Sequence, residues 1–469
     1  MDLISLIMNA GNGLSVFRAQ AATASHNIAN SDTPGYSRQE AVATESLPSE
    51  PAGLHGYIGR GVSLKYVVQS RDQFIETQLN AASTNSANTS AHADALNTVS
   101  ALNVGATGGV TDAMGKFYSS LRDLAQNPGD LALRRSVVDT AKALSGSFNR
   151  TASSLNAART AIDSDMFTLT NQVNGKLEAL ADLNRRIALA VNSGRTPNDL
   201  LDVRQNTLDD LAKMIGVRPV PDAYGNVSLV LPSGTSLVSN VNFNKLTLQA
   251  NSTNRGHYDI VYAPADGSAP RALDRSELSG QMGGLLDARD SSIANAESDL
   301  DKLAFELSGA INAVHMSGFA LDGTDGHLMF KDLTQEEGAA TSMDVDADLQ
   351  TDPRLLATAG TSTSGSGDPA NIQKLVDTER FNLSNGLDAQ TTFAKITSDF
   401  GTHMTTVKDA SEFDKNLLDD LVGARESVSG VSVDEELIKL TKSQNAYNSM
   451  LKVIQTTTEM LDTLMNAIK

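Results

Sequence analysis

The sequence predicts a mainly α protein with an inserted small antiparallel β domain, in which terminal coiled-coil helices flank an elongated helical-bundle body. Three observations predict this. Apolar residues recur at alternating spacings of four and three at both ends of the chain. Long runs of helical period fill residues 71–216. At Val217 the pattern switches to short β-rich runs separated by turn residues.

At the N-terminus the apolar line is Leu3, Ile7, Ala10, Leu14, Phe17, Ala21, Ala24 and Ile28, an a/d heptad seam. Asp2 and Arg18 are the charged residues of this stretch, and Leu3, Ile4, Leu6, Ile7 and Met8 make its first turns apolar nearly all round. Such a helix expects burial on several sides. It runs into SHNIANSDTPGYSRQ (25–39), a helix terminator: Asn30 and Ser31 can cap or turn, Pro34 pushes Thr33 out of the helical region, and Pro34-Gly35 favours a tight turn. Asn27, Asn30, Thr33, Pro34, Gly35 and Tyr36 are therefore candidate residues of a hinge between a helix that assembles and a body that folds by itself.

The C-terminus carries a second seam. Ser432 and Glu435 have the spacing of a capping box, and Asp434, Glu435 and Glu436 suit the positive end of a helix dipole. Val433, Leu437, Leu440, Gln444, Tyr447, Leu451, Ile454, Thr458, Leu461, Met465 and Ile468 then continue the repeat for about five heptads, imperfectly at Gln444, Tyr447 and Thr458. At ~1.5 Å per residue the two helices would be roughly 40 and 55 Å long. The simplest packing sets one against the other. Because ordering an isolated helix costs ~1–2 kcal/mol per residue, frayed ends are expected in the free monomer.

Between the seams, residues 40–61 read as loop and Val62–Val68 as a strand. Helices are expected at 71–103 and 110–126, a turn at Asn127-Pro128-Gly129-Asp130, and one long helical pattern at 130–192 with Ser145-Gly146-Ser147 as its weak point. A helix at 197–215 has Thr196 as N-cap and Pro197 in its first position. The β-rich stretch is 217–283. Helix returns at 284–316, 317–370 is mixed, and helices at 389–427 and 432–468 finish the chain. The expected division is 1–40 with 428–469 as the assembly region, 41–216 with 284–330 and 371–427 as the helical body, 217–283 as the β domain, and 331–370 as a mixed β and linker segment.

Composition narrows the function. Lys and Arg total 37 against 56 Asp and Glu, a net charge of −19, with no basic run, so nucleic acid and anionic membrane surfaces are disfavoured partners. The chain has no Cys, which excludes disulfides and thiolate chemistry. No apolar stretch reaches membrane-spanning length, and the N-terminus lacks the basic region of a cleaved secretory signal. Asp344, Asp346, Asp348 and Asp352 fail as an EF-hand, with Leu349 and Leu355 where Gly and Glu are needed, and read as the solvent face of a strand. DGTDGH (322–327), near His315, reads as a tight turn. No catalytic motif, metal site or cofactor site is nominated.

These residues resemble a family. ATASHNIANSDTPGYSRQ (22–39) is similar to the N-terminal motif of the rod, hook and hook-associated axial proteins of the bacterial flagellum. GRGVSLKYVVQSRDQFIETQLNAA (59–82), INAVHMSGFALDGTDGHLMF (311–330) and the block at 424–465, with Ser429-Gly430-Val431, Asp434-Glu435-Glu436, Gln444 and Tyr447, resemble the hook-associated branch, which forms the first hook–filament junction. The resemblance implies a structural role without cofactors, and export by the flagellar type III apparatus, without signal cleavage and with an export chaperone. It implies assembly outside the cell, at the distal end of the hook, with further copies of the chain, with the hook protein and with a second junction protein. It also implies terminal helices packed as an inner layer. An extracellular helical-stalk adhesin, another axial component of hook or distal rod, and a cell-wall hydrolase are the alternatives.

Overall fold

The computed structural model describes residues 3–46, 59–99, 108–194, 196–222 and 225–467. It is mainly helical with small antiparallel sheets, the fold class the sequence predicts. Helix α1 (Leu3–Ala29) leads through a turn into strand β1 (Gln39–Glu45), which pairs antiparallel with β2 (Val62–Gln69). Part of the segment expected as loop is therefore a strand. Gln39–Glu45 has little β-rich alternation, and a distant partner supplies its ladder.

The body follows with α2 (Gln73–Asn97), α3 (Val110–Gln126), α4 (Leu131–Asn192) and α5 (Asn198–Ile215). Aspartates start two of these helices: Asp72 accepts from the Phe74 amide at 2.8 Å, and Asp130 from the Ala132 amide at 2.7 Å. Pro197, not Thr196, stands at the N-cap of α5, where it makes no side-chain bond. The 62 residues of α4 run unbroken through Gly146. The ~1 kcal/mol helix penalty of that glycine is outweighed by its neighbours, because Leu144, Phe148, Ala152 and Leu155 are all buried.

Strands β3 (Arg218–Pro221), β4 (Val227–Val230), β5 (Ser236–Ser239) and β6 (Asn242–Phe243) form one meander, and β7 (Lys245–Ala250), β8 (Tyr258–Ala263) and β9 (Arg271–Ala272) a second. Both lie on α4. Asn184 donates to the carbonyls of Val227 and Asn240 and accepts the Val227 amide, and ten residues earlier Asn174 grips both backbone groups of Leu246. Leu229, Leu237, Leu246 and Ile260 belong to the same continuous core as Val173, Leu177 and Leu180 of α4. The β insert thus shares the body's core.

Helix α6 (Gly280–Asp287) passes through a π-helical segment, Ala288–Ile293, into α7 (Ala294–Met316). Short helices α8 (Ala339–Ser342), α9 (Ala347–Thr351) and α10 (Ala370–Asp377) precede the long α11 (Ala389–Ser429) and α12 (Val433–Ala467). Asp346 and Asp352 are not on a strand: each caps a short helical turn, accepting the amides of Asp348 and Arg354. DGTDGH is a turn, with Gly323 and Gly326 at positive φ. Helix α2 packs on α5 and α6 and pairs with α11, while α1 pairs with α12. Among the described residues, no helix is long and apolar enough to cross a membrane, and no cluster of three or more His, Asp or Glu could hold a metal ion.

His315 near the end of α7 makes stability pH-dependent. It is fully buried, donates from Nδ1 to the His327 carbonyl (2.7 Å) and accepts the Ala357 amide at Nε2 (3.0 Å). A second ring proton would face an N–H, and burial pushes the imidazole down to about 4. The folded pKa lies below the unfolded value of about 6.5, so the contribution is complete above pH ~6.5 and is lost as pH falls toward 4, about 3 kcal/mol in all. Urea unfolding at pH 7.5 and 4.5 is expected to show that slope in the wild type and a flatter one in His315→Gln. Parallel slopes would dismiss His315 as the source.

Candidate functional site

The SHNIANSDTPGYSRQ motif forms a bonded joint at the base of the terminal helices. Its centre is Asn27, fully buried in the last turns of α1. Asn27 Nδ2 donates to the Gln39 carbonyl and to Glu436 Oε2, both at 2.9 Å, and Oδ1 accepts the Gln39 amide at 3.0 Å and the Tyr36 hydroxyl at 2.7 Å. That uses the full capacity of a carboxamide, two donors and two lone pairs. One side chain thereby ties α1, the turn, β1 and α12 together. Glu436, also buried, takes its other bond from Lys439 at 2.6 Å.

The turn is built as its residues dictate. The Asn30 side chain donates to the His26 carbonyl (2.9 Å), and the amides of Thr33 and Tyr36 bond the carbonyls of Asn30 and Thr33. Gly35 has φ of 73°, a conformation that favours glycine, and a Cβ there would lie 1.9 Å from Asn206 Oδ1, so the Asn206 side chain would have to give way. Asn206 on α5 in turn donates to the Pro34 carbonyl (3.4 Å). Burial pushes the Tyr36 phenol well above its ordinary range, with Asp202, Asp199 and Glu436 adding to it, so it stays a donor.

Around this centre, Arg71 bonds Ser37 Oγ (2.7 Å) and Asp202 (2.5 Å). Burial raises the Asp202 carboxyl, and Arg71 opposes that. Gln39 reaches Asp199 and Asn198 on α5. The Arg38 amide bonds the Ser429 carbonyl (3.0 Å), and Ser70 bonds the carbonyls of Arg38 and Val428. Ser432 Oγ accepts the Glu435 amide at 3.4 Å, but the Glu435 carboxylate turns to Arg38 at 3.7 Å, so half of the capping box forms.

The two seam lines sit differently. On α1, Ala10 and Ala24 are buried and Leu3, Ile7, Leu14, Phe17, Ala21 and Ile28 half-buried. On α12 the covered line runs through Glu436, Leu440, Ser443, Tyr447, Met450, Ile454, Thr457 and Leu461. Of the expected positions, Leu440, Tyr447, Ile454 and Leu461 are on it. Val433, Leu437, Gln444, Leu451 and Met465 lie on an exposed flank, and Ile468 is outside the described residues. The Asn27–Glu436 bond sets this register, and Met450 packs over Gly13. Apolar periodicity marked two flanks of α12 as one seam, because the flank against α1 includes Ser443 and Thr457. Arg71, Asp199 and Asp202 carried no local signal, and Glu436 only that of an acid at a helix N-terminus: in the joint each acts through partners distant in sequence.

Comparison with known proteins agrees with this anatomy. A family model described as flagella basal body rod protein matches residues 7–36, and one described as flagellar basal body rod FlgEFG protein C-terminal matches 425–467. A third, the flagellar hook-associated protein FlgK helical domain, matches 96–330. Helices of rod-protein type at both ends of a helical body define a flagellar axial structural protein, not an enzyme. The chain belongs to the flagellar hook-associated protein FlgK family. It is 25% identical to flagellar hook-associated protein 1 of Escherichia coli (strain K12), over 98% of this chain and 99% of that one. It is 26% identical to that of Bacillus subtilis (strain 168), over 98% and 97%. The fold matches the solved flagellar hook junction protein FlgK from Burkholderia pseudomallei with a TM-score of 0.66 at 16% identity, over 75% of this chain and all of that one.

Proposed function

We propose that this chain builds the hook–filament junction by assembling at the distal end of the hook through α1 and α12. The observation that carries this reading is the bare flank of α12. Leu437, Leu451 and Met465 on this flank are exposed, as are Ile438, Met460 and Leu464 elsewhere on α12 and Ile4 and Met8 on α1, although another side of α12 is covered by α1. So much apolar surface on one helix pair suits burial by neighbouring copies. The residues of the two seams and of the joint are the assembling part, and the body stands outside it. The hook protein and a second junction protein are the expected neighbours, an export chaperone the expected partner before assembly, and the outside of the cell the expected location, reached without signal cleavage.

The test is complementation of a strain lacking its own junction protein. Leu437→Asp, Leu451→Asp and Met465→Asp together are expected to abolish filament attachment, while body unfolding stays within about 0.5 kcal/mol per substitution, as for surface changes. Normal attachment by a variant that is exported in normal amount would refute the role of this flank.

A further inference from the structure

Three polar side chains meet where α2 and α11 cross the body. Ser292, on the π-helical segment, places Oγ 2.9 Å from Nε2 of His92 on α2 and 2.9 Å from Nε2 of His403 on α11. The two imidazole centroids are 5.5 Å apart. A hydroxyl has one proton to give. With both rings neutral, one ring donates its Nε2–H to Oγ and Oγ donates to the bare Nε2 of the other, so the three groups form one ordered chain.

A first added proton can be absorbed. Both rings then donate to Oγ, and the hydroxyl turns to the Asp287 carbonyl, 3.4 Å away. A second proton cannot be relieved in the same way, because it sets two imidazolium rings against each other. The charged groups acting on His92 from the surrounding elements are Asp287 of α6 and Arg275 just before it, which are paired with each other, and His403 of α11. Burial holds the His92 imidazole below the ordinary histidine range, Asp287 works against that, and His403 and Arg275 add to it.

Helix α2 cannot easily leave α6: a Cβ at Gly284 would lie 2.1 Å from the Asn88 carbonyl, and Asn88 donates to the Gly280 carbonyl. Beyond His403, α11 is held to α2 by the Thr89–Asp414 and Ser90–Ser411 bonds, then runs on to the joint at Val428 and Ser429. The π segment also anchors the other side of the body, since Arg289 bonds Asp163 of α4 and the Tyr258 carbonyl.

We propose that His92, Ser292 and His403 form a proton-operated latch that fastens α11, and through it the base of the terminal helices, to the body at neutral pH and releases it when both rings are charged. The sign follows from the buried ring: with a folded pKa below the unfolded value of about 6.5, the latch is complete above that pH and is lost as pH falls below it.

The test is hydrogen exchange on the intact chain at pH 7.5 and 5.5, corrected for the chemical rate and read at residues 396–410 relative to core amides of α4. A several-fold loss of protection at the lower pH is the effect expected in the wild type, because protonation of the His92 ring is disfavoured in the folded state. His403→Gln, which can still bond Ser292 but gains no proton, is expected to respond less than the wild type, because His92 stays buried but no second imidazolium forms beside it. Equal protection at both pH values in the wild type, or the same acid response in His403→Gln, would overturn the latch. Should that variant not fold, imidazole resonances of the wild type decide: two coupled steps for His92 and His403 support it, and two independent curves at the ordinary value sink it.

Discussion

Replacing Asn27 with leucine is expected to free the α1/α12 pair from the body while leaving the body folded. The substitution removes four hydrogen bonds at once and leaves Glu436, whose side chain is 2% exposed, with Lys439 as its remaining partner. Taking one donor from a buried carboxylate that keeps its Lys439 partner costs about 1–3 kcal/mol, because the freed oxygen loses its hydrogen bond without regaining water. The backbone groups of Gln39 and the Tyr36 hydroxyl lose partners too. Asn27→Asp is expected to do at least as much harm at neutral pH, since it sets a second carboxylate against Glu436 and removes the donors. Hydrogen exchange at residues 30–40 and 430–440 is the measurement, with core amides of α4 as the internal reference. Protection at the joint should collapse while that of α4 holds. A double-mutant cycle sharpens it: Asn27→Leu with Glu436→Leu should cost less than the sum of the two changes, because no carboxylate is then stranded. Wild-type protection in Asn27→Leu would mean that the seam alone holds the pair. In assembly, the same variant should keep its apolar flanks and still fail to form a normal junction, because the flanks would no longer be held at a fixed angle.

What was legible in the sequence depended on whether the signal was local. The end of α1 was readable, because Asn30, Pro34 and Gly35 stop a helix whatever surrounds them. Helix α4 was readable from its long periodicity, and the β stretch from its texture. Strand β1 was not, since its ladder comes from β2, a partner distant in sequence. The aspartates at 346 and 352 suggested strand alternation, but a capping aspartate also sits beside small and apolar residues, and spacing alone does not separate the two. The joint was half legible. Its turn could be read and its bonds could not: Asn27 and Glu436 lie 409 positions apart, and Glu436 stood among three acids that all suit a helix N-terminus. The α12 seam went furthest from its reading for a related reason. Periodicity reports every apolar position, whereas the register that decides which of them faces α1 is set by a polar contact.

Arg134→Met is expected to destabilise the whole body by about 3–5 kcal/mol, although it removes a charge whose burial is itself unfavourable. Arg134 is fully buried near the start of α4, and burial pushes its guanidinium down to about 10, so it remains charged at neutral pH. Nε donates to the Pro128 carbonyl (2.7 Å), Nη1 to the carbonyls of Leu356 (2.6 Å) and Arg354 (3.4 Å), and Nη2 to Thr358 Oγ1 (2.6 Å). Replacing a buried ion pair with apolar residues is often neutral, because both charges leave together. Here the acceptors are mostly backbone carbonyls, which no substitution can delete, so an apolar side chain of similar length leaves them orphaned. The segment they belong to is shared: Asn371 bonds the Ala357 carbonyl, and His315 accepts the Ala357 amide. Losing Arg134 therefore loosens the contact between α4, α7 and α10 together. Arg134→Lys should fall between the two, since an ammonium can reach one or two of these carbonyls but not the forked set. Urea unfolding at pH 7.5 reads all three proteins. A methionine variant within 1 kcal/mol of wild type would show that the carbonyls find other donors, and would remove Arg134 from its place as the fastener of this end of the body.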